Sequence, residues 1–184
     1  MNHPTTEELE AGLPDVLKSP QDQGTLEMVI RRPETDAREV LDEAELTLAE
    51  GVKGDNWNQR PNKRSADGGP HPDMQLNVMN SRIANLVSGG RDRWALAGDQ
   101  LYVDFDITAA NVPPGTRLAI GSAVIEVTDQ PHTGCAKFTQ RFGLDAHRFV
   151  NSPDREGMHL RGINARVVSE GTIKPGDHIS KLDA

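Results

Sequence analysis

The stretch Leu101-Tyr-Val-Asp-Phe-Asp-Ile107 has an apolar side chain at every second position, beginning with its first residue. A period of two is typical of a β-strand that buries one face, because successive side chains point to opposite sides of a sheet. Farther along, two strand-like runs at 117–120 and 123–128 flank Gly121-Ser122, a pair suited to a two-residue turn. This part of the sequence therefore predicts a strand followed by a β-hairpin.

The rest of the chain favours more short strands and few helices. Strands are also predicted at 26–30, 38–50, 74–78, 163–168 and 178–179. The apolar pattern of 38–50 fits a helix face as well, but a strand is favoured. Helices are predicted at 82–88, capped by Asn80 or Ser81 and ended by Gly89-Gly90, and in short pieces at 134–142 and 146–150. Many short strands without alternating long helices predict a mainly β, barrel-like fold.

The 184 residues fit one domain with a segment of different composition at its start. Residues 1–25 are acidic and poor in large apolar side chains, so we expect a flexible arm followed by a single domain at 26–184. Residues 51–73 contain many turn formers and predict a long loop, a kind of segment that is often functional. No apolar run has membrane-spanning length and no signal peptide is visible, so we expect a cytoplasmic protein without a membrane partner.

The net charge of −8 is distributed unevenly along the chain. Residues 1–51 contain 13 acidic and 4 basic residues, whereas 52–184 contain 15 acidic and 16 basic residues. Within the second part, the segments 59–93 and 131–166 each carry a net charge of +3. Like charges gathered in a cleft repel one another unless an anion compensates them, so we expect these segments to converge on one anion-binding cavity. The absence of an overall basic excess argues against nucleic acid as a partner.

The segment Gln130-Pro-His-Thr-Gly-Cys-Ala-Lys-Phe-Thr-Gln-Arg-Phe-Gly143 contains the only cysteine of the chain, Cys135. If Thr133 caps a helix, the helix dipole and the nearby Lys137, Arg141 and His132 favour a thiolate at Cys135. His132 is then a candidate for orienting or protonating a group beside the thiol. The alternative is that Cys135 is a small buried apolar residue. The other histidines show no metal-ligand spacing.

The run Arg161-Gly-Ile-Asn-Ala-Arg166 predicts a strand with an arginine on each face. Whichever face lines a cavity receives a guanidinium group, whose forked donors suit a phosphate. A surface role for either arginine is equally compatible with the pattern.

Several of these stretches, taken in order, resemble the MOSC domain, named for the C-terminal domain of molybdenum cofactor sulfurases. They are Gly51-Val-Lys-Gly-Asp-Asn-Trp57, Gly98-Asp-Gln-Leu-Tyr-Val-Asp-Phe-Asp-Ile-Thr108-Ala-Ala-Asn111, Pro131-His-Thr-Gly-Cys135-Ala-Lys-Phe138, and Arg161-Gly-Ile-Asn-Ala165 through Gly171 to Gly176-Asp177. The resemblance implies a β-barrel-like domain with a cavity for a pterin-bound molybdenum. It also implies a cysteine that ligates the metal or carries sulfur, and Cys135 matches that position.

The resemblance gives the candidate residues specific roles. It implies cations for the molybdopterin phosphate at Lys137, Arg141 and Arg161. Hydrogen-bond donors for the pterin are implied at Thr108, Asn111 and Asn164, and a soft thiolate for the metal at Cys135.

The resemblance also implies two activities. The protein either reduces N-hydroxylated bases or carries a persulfide on Cys135, with His132 assisting. The resemblance includes no ferredoxin-like or aminotransferase-like extension, so we expect the partner to be a separate chain. The partner would be a redox protein for the reductase, or a cysteine desulfurase for a pyridoxal phosphate-linked sulfur transfer. The alternative is a non-catalytic module that binds a small anion or a pterin, in which Cys135 is only structural.

Overall fold

The computed structural model describes residues 3–182, which form eleven strands and three α-helices joined by turns and short 3-10 helices. The strands are β1 (Gln23–Arg31), β2 (Glu39–Leu41), β3 (Ala44–Thr47), β4 (Gly51–Val52), β5 (Leu76–Asn80), β6 (Leu101–Asp104), β7 (Arg117–Ile120), β8 (Ala123–Val127), β9 (Ile163–Ser169), β10 (Gly171–Ile173) and β11 (His178–Lys181). The helices are α1 (Thr6–Val16), α2 (Ser81–Ser88) and α3 (Ala136–Val150).

Seven of the strands close into a barrel. They follow the order β1-β11-β7-β8-β9-β5-β6, and β6 pairs with β1 again, which closes the ring. All neighbours are antiparallel except β5 and β6, whose parallel pairing is joined by the crossover through α2. Strand β2 extends β1 outside the ring, and β10, β3 and β4 form a separate small sheet. The predicted mainly β, barrel-like fold is therefore confirmed.

The alternation within the strands divides the buried apolar residues between two cores. Leu101, Val103 and Phe105 belong to the larger core, which draws on nearly every strand. Tyr102, between them, points the other way and is buried with the helices, where its hydroxyl donates to the Trp94 carbonyl at 2.7 Å. Burial raises the pKa of this hydroxyl, which therefore stays protonated. The barrel thus has one face covered by a helical layer.

The first helix, α1, changes the expectation for the N-terminal arm. Thr5 and Glu8 form a capping box at its start, and Leu9 is fully buried in the core shared with α2 and α3. Met1 and Asn2 lie outside the described residues. The expected flexible arm does not describe residues 6–16, because an amphipathic helix buries apolar area that the overall composition of 1–25 does not reveal.

Other differences are local. Residues 38–50 form two strands, β2 and β3, rather than one, and the loop at 51–73 contains β4 and two 3-10 turns. Helix α3 spans 136–150 as two helical pieces, because Gly143, with φ +90° and ψ 167°, has a non-helical backbone between the two predicted pieces. Asn80 caps α2 and Gly89 ends it in the left-handed conformation, as predicted. No helix in the described range is long and apolar enough to cross a membrane.

Candidate functional site

A cavity of about 430 Å³ opens where the end of β1 meets the start of β6. Its walls come from the residues after β1, the 51–73 loop, Asn77 of β5, the residues before β6, the cysteine segment and Arg161, two residues before β9. The lining includes six cationic side chains, those of Arg32, Arg38, Arg60, Lys137, Arg141 and Arg161. Two acidic residues, Glu34 and Asp36, also line it. The cavity is therefore suited to an anion.

Arg32, the residue directly after β1, is buried and held by hydrogen bonds to three residues. Its backbone N–H and side chain donate three hydrogen bonds of 2.9 Å to the carboxylate of Asp55. Its Nη1 donates to Asn77 Oδ1 at 3.1 Å and to the Gly98 carbonyl at 3.0 Å. This pair ties the 51–73 loop to the barrel, because a buried charge needs a partner and satisfied donors.

A second buried pair, Arg161 with Asp99, contacts the same segment before β6 that Arg32 contacts at Gly98. Arg161 Nη1 donates to both carboxylate oxygens of Asp99, at 2.9 and 2.7 Å, and its guanidinium lies 5.0 Å above the ring of Phe138. Burial raises the pKa of Asp99, and the charge of Arg161 opposes that rise. His132 Nδ1 lies 3.6 Å from Asp99 Oδ1. Burial lowers the pKa of His132 well below 6.5, and the charges of Arg161 and Arg32 lower it further, so the ring is neutral at pH 7.

Cys135 is exposed and lines the cavity. It is the N-cap residue of α3 rather than a residue of its first turn, and Thr133 is not the cap. Lys137 and Arg141, one helical turn apart, both bind Asp36, at 2.7 and 3.0 Å. The Lys137 contact lowers the pKa of Asp36. Two cations beside the thiol are therefore already partly neutralised.

Among the described residues, Arg38 and Arg60 are the cations of this cavity that form no ion pair with a carboxylate. Burial lowers the pKa of Arg38, and the like charges of Arg141 and Arg32 lower it further. The pKa of Arg60 is lowered by desolvation and by Arg32, and Asp55 and then Cys135 oppose this. Arg38 and Arg60 are thus the cations of the cavity available to pair with a bound anion.

Unpartnered polar atoms mark the same cavity. Within residues 3–182, five buried side-chain nitrogen or oxygen atoms lack a hydrogen-bond partner. Four of the five belong to residues that line this cavity, namely Arg38 Nε, Asn56 Oδ1, His132 Nδ1 and Arg161 Nε. Buried polar atoms in native proteins are nearly always satisfied, so these four atoms indicate a place where a bound group, an ion or water would supply hydrogen-bond partners.

The cavity collects five of the eight residues proposed from the sequence, which are Cys135, His132, Lys137, Arg141 and Arg161. Asn164 lies just behind it, where its side chain contacts Asn77, a residue of the cavity wall, at 2.7 Å. Thr108 and Asn111 lie elsewhere, in the turn after β6. There Asn111 Nδ2 donates to the Asp106 carbonyl at 2.7 Å, and Thr108 lines a separate small pocket.

Several residues at the cavity were not proposed individually as site residues from the sequence, although Arg60 belongs to the basic segment 59–93 that was expected to reach an anion-binding cavity. Arg32, Arg38 and Arg60 supply half of its cations, and Asp55 and Asp99 orient two buried arginines. The last two stand in the stretches 51–57 and 98–111 that carry the family resemblance, so a charged residue inside a motif was the available signal. Arg32 also directly precedes a proline at the end of a predicted strand, where polar side chains gather at a barrel rim.

The two basic segments converge only in part. Arg60 of the first and Lys137, Arg141 and Arg161 of the second reach the cavity. Other bases of these segments form ion pairs elsewhere: Arg82 with Asp104, Arg91 with Glu27, Arg155 with Glu10, and Arg166 with Asp73 and Glu126. Net charge along a segment does not reveal which bases have acidic neighbours in the fold.

A second cavity of about 360 Å³ lies behind the cysteine segment. His132, Thr133 and Arg161 line both cavities, and Asn151 lines the second. The segment before Cys135 is therefore a thin wall between the two.

Comparison with known families identifies the domain. The family model of the MOSC domain matches residues 55–180. The chain belongs to the MOSC domain family. The match covers the 51–73 loop from Asp55 onward, the cysteine segment and all barrel strands from β5 to β11, so it includes most of the cavity wall. A search of curated proteins finds no match.

Solved structures show the same fold. The YuaD protein from Bacillus subtilis is 16% identical with a TM-score of 0.62, over 85% of this chain and 94% of that one. YiiM from Escherichia coli is 17% identical with a TM-score of 0.54, over 87% of this chain and 70% of that one. YiiM from Geobacillus stearothermophilus is 16% identical with a TM-score of 0.53, over 88% and 75%. At these identities the similarity concerns the fold.

Proposed function

We propose that this MOSC protein binds a molybdenum cofactor of the molybdopterin type in the cavity that Cys135 lines. The observation that carries the proposal is the concentration of unpartnered buried polar atoms in a cavity with six cations and an exposed thiol. A ligand with a phosphate and a hydrogen-bonding heterocycle would satisfy both features.

The residues present fit such a group. Arg38 and Arg60, which have no carboxylate partner among the described residues, suit the phosphate, and Lys137 and Arg141 lie beside them. Arg161 Nε, His132 Nδ1 and Asn56 Oδ1 offer donors and acceptors to a pterin. Thr108 and Asn111, in their separate turn, are not part of this proposal.

The metal would depend on the pterin for most of its ligands. No cluster of three or more His, Cys, Asp or Glu side chains able to hold a metal occurs within residues 3–182. An enedithiolate supplies soft sulfur ligands of its own, and the Cys135 thiolate is the soft protein ligand at the cavity. The bound group would supply two-electron redox chemistry. The chain itself would hold the phosphate, orient the heterocycle, and keep His132 neutral at pH 7, with a ring nitrogen free to form a hydrogen bond with the pterin.

Two activities follow from this binding mode. In the first, the protein reduces N-hydroxylated substrates with electrons from a separate redox partner in the cytoplasm. In the second, Cys135 carries a persulfide received from a cysteine desulfurase. Exposure of the thiol favours this second activity, because a partner chain must reach the sulfur.

The test is the content of protein purified from a host that synthesises molybdopterin. We expect molybdenum and a fluorescent pterin to copurify with the wild type. Cys135→Ser should lose the metal, and Arg60→Ala should retain less pterin. Lys63→Ala is the matched control, since Lys63 is an exposed base of the same loop that does not line the cavity.

Each outcome has a consequence. Cyanide-labile sulfur on Cys135 in protein that contains no pterin would contradict the reductase activity and support the sulfur carrier. If the wild type and the control both contain no pterin and no labile sulfur, both activities are contradicted. The remaining interpretation is then a module that binds a small anion.

A further inference from the structure

Gly134 directly precedes Cys135, the N-cap residue of α3, and its backbone is held by residues at the far end of α3. Gly134 N–H donates to Asn151 Oδ1 at 2.8 Å, and the Gly134 carbonyl accepts from Asn151 Nδ2 at 3.3 Å. His147 Nε2 lies 3.0 Å from the same carbonyl oxygen. The backbone N–H and carbonyl of Gly134 are thus both held by side chains 13 and 17 residues farther along the chain.

The break in α3 makes this contact possible. Gly143 has φ +90°, a left-handed conformation that favours glycine, and it divides the helix into two pieces. A straight helix of 15 residues would place its ends roughly 20 Å apart at 1.5 Å per residue. The break instead lets Asn151, the C-cap residue, return to the residue before the N-cap.

The fit around Gly134 is tight. A Cβ atom at this position would lie 2.9 Å from Asn151 Nδ2, 3.3 Å from His147 Cδ2 and 3.4 Å from Val150 Cγ2. The first distance is shorter than real Cβ atoms show, so another residue at 134 would displace the end of the Asn151 side chain. Glycine at this position therefore leaves room for the Asn151 amide to contact the backbone.

We propose that Asn151, assisted by His147, is a positioning residue for Cys135. The clamp on Gly134 holds the segment so that the thiol faces the cationic cavity rather than moving freely at the surface. On the other side of the segment, His132 is packed against Asp99 and Gly162, so the segment is fixed at both ends. This inference rests on the proposed function only in taking Cys135 as the functional thiol.

The test uses purified protein without cofactor and the rates of Cys135 alkylation by iodoacetate and iodoacetamide. A thiol facing cations reacts faster with the anionic reagent relative to the neutral one. We expect Asn151→Ala and Gly134→Ala to lower this rate ratio about threefold, the effect of one or two partly screened charge contacts. His147→Gln, which keeps a donor, should stay closer to wild type than His147→Ala.

Two control variants separate positioning from stability. Ser152→Ala changes the next residue, which lines the second cavity but does not bind Gly134, and should keep the wild-type ratio. Leu9→Ala removes a buried side chain of α1 and should lower the melting temperature without changing the ratio. Hydrogen exchange at the Gly134 amide should accelerate in Asn151→Ala and in neither control.

Three results would overturn the proposal. The first is an unchanged ratio in Asn151→Ala despite fast exchange at Gly134. The second is a ratio that falls in Leu9→Ala as well, since the effect would then follow global stability. The third is a slow Gly134 amide in Asn151→Ala. Absence of pterin from protein made in a competent host would contradict the proposed function and would leave these rates unaffected.

Discussion

At the scale of single residues, Arg60 is the cation whose loss should most affect the thiol. It lies close enough to Cys135 for their charges to interact, whereas Lys137 is bound to Asp36. We therefore expect Arg60→Ala to slow alkylation of Cys135 by iodoacetate more than Lys137→Ala does. The measurement is the pseudo-first-order rate at neutral pH and low salt, because exposed charges are screened at high salt.

This comparison also tests the accessibility of the thiol. The exposed position of Cys135 requires that the folded protein react without denaturant. A thiol that reacts only after unfolding would support a packing role for Cys135. Equal rates in the two variants would show that Arg60 is not its main electrostatic neighbour.

His132 gives the protein a distinct dependence of stability on pH. Its pKa is held well below 6.5 in the fold by burial and by Arg161 and Arg32, whereas a histidine in the unfolded chain titrates near 6.5. As the pH falls below about 6.5, the unfolded chain gains a proton that the folded protein does not, so stability is lost on acidification. The loss reaches up to about 1.4 kcal/mol per pH unit.

The corresponding measurement is urea unfolding at several pH values between about 7 and 5, with His132→Gln as the comparison. We expect the variant to lose less stability over this range than the wild type. The raised pKa of Asp99 acts with the opposite sign, because protonation is easier in the fold, and it is present in both proteins. Parallel profiles would mean that the pKa of His132 is the same in the native and the unfolded state.

At the scale of elements, α1 is the part whose role the sequence concealed. Thr5 and Glu8 at capping-box spacing, and Leu9, Leu13 and Val16 along one helix face, were signals in the sequence. The acidic composition of residues 1–25, poor in large apolar side chains, predicted a flexible arm instead. Predicted strands, in contrast, were found near their places, because period-two alternation and turn residues are local signals.

The contribution of α1 is measurable with two leucines of its segment. Leu9 is fully buried, whereas Leu17, just after the helix, is 52% exposed. We expect Leu9→Ala to lower the free energy of unfolding by about 2–5 kcal/mol. Leu17→Ala should change it by less than about 0.5 kcal/mol. Chemical denaturation checks both values, and a small effect at Leu9 would restore the expectation that the arm is dispensable.

At the scale of the whole molecule, two neighbouring ion pairs at the end of β1 predict different losses of stability when they are broken. Arg32 and Asp55 are buried, whereas Arg31 pairs with Glu39 at the surface. Asp55→Ala leaves a buried guanidinium without its counter-ion and should cost about 3–5 kcal/mol of stability. Glu39→Ala breaks an exposed pair and should cost at most about 1 kcal/mol. Thermal and urea unfolding distinguish them, and equal losses would show that Arg32 finds another partner.

The sequence by itself determined the local features of this protein. Alternating patterns gave a mainly β fold, motifs in order gave the family, and a polar, glycine-flanked segment indicated Cys135. Each of these signals lies within a few neighbouring residues, where backbone geometry and side-chain period act directly.

Only the tertiary structure decided which charges meet. Closing the barrel brings Arg32 to Asp55 and Arg161 to Asp99, pairs separated by 23 and 62 residues, and it keeps Thr108 and Asn111 away from the cavity. The break at Gly143 likewise brings Asn151 back to Gly134. No periodic pattern encodes such contacts, because they depend on strand pairing and on which buried groups remain unsatisfied once the chain has folded.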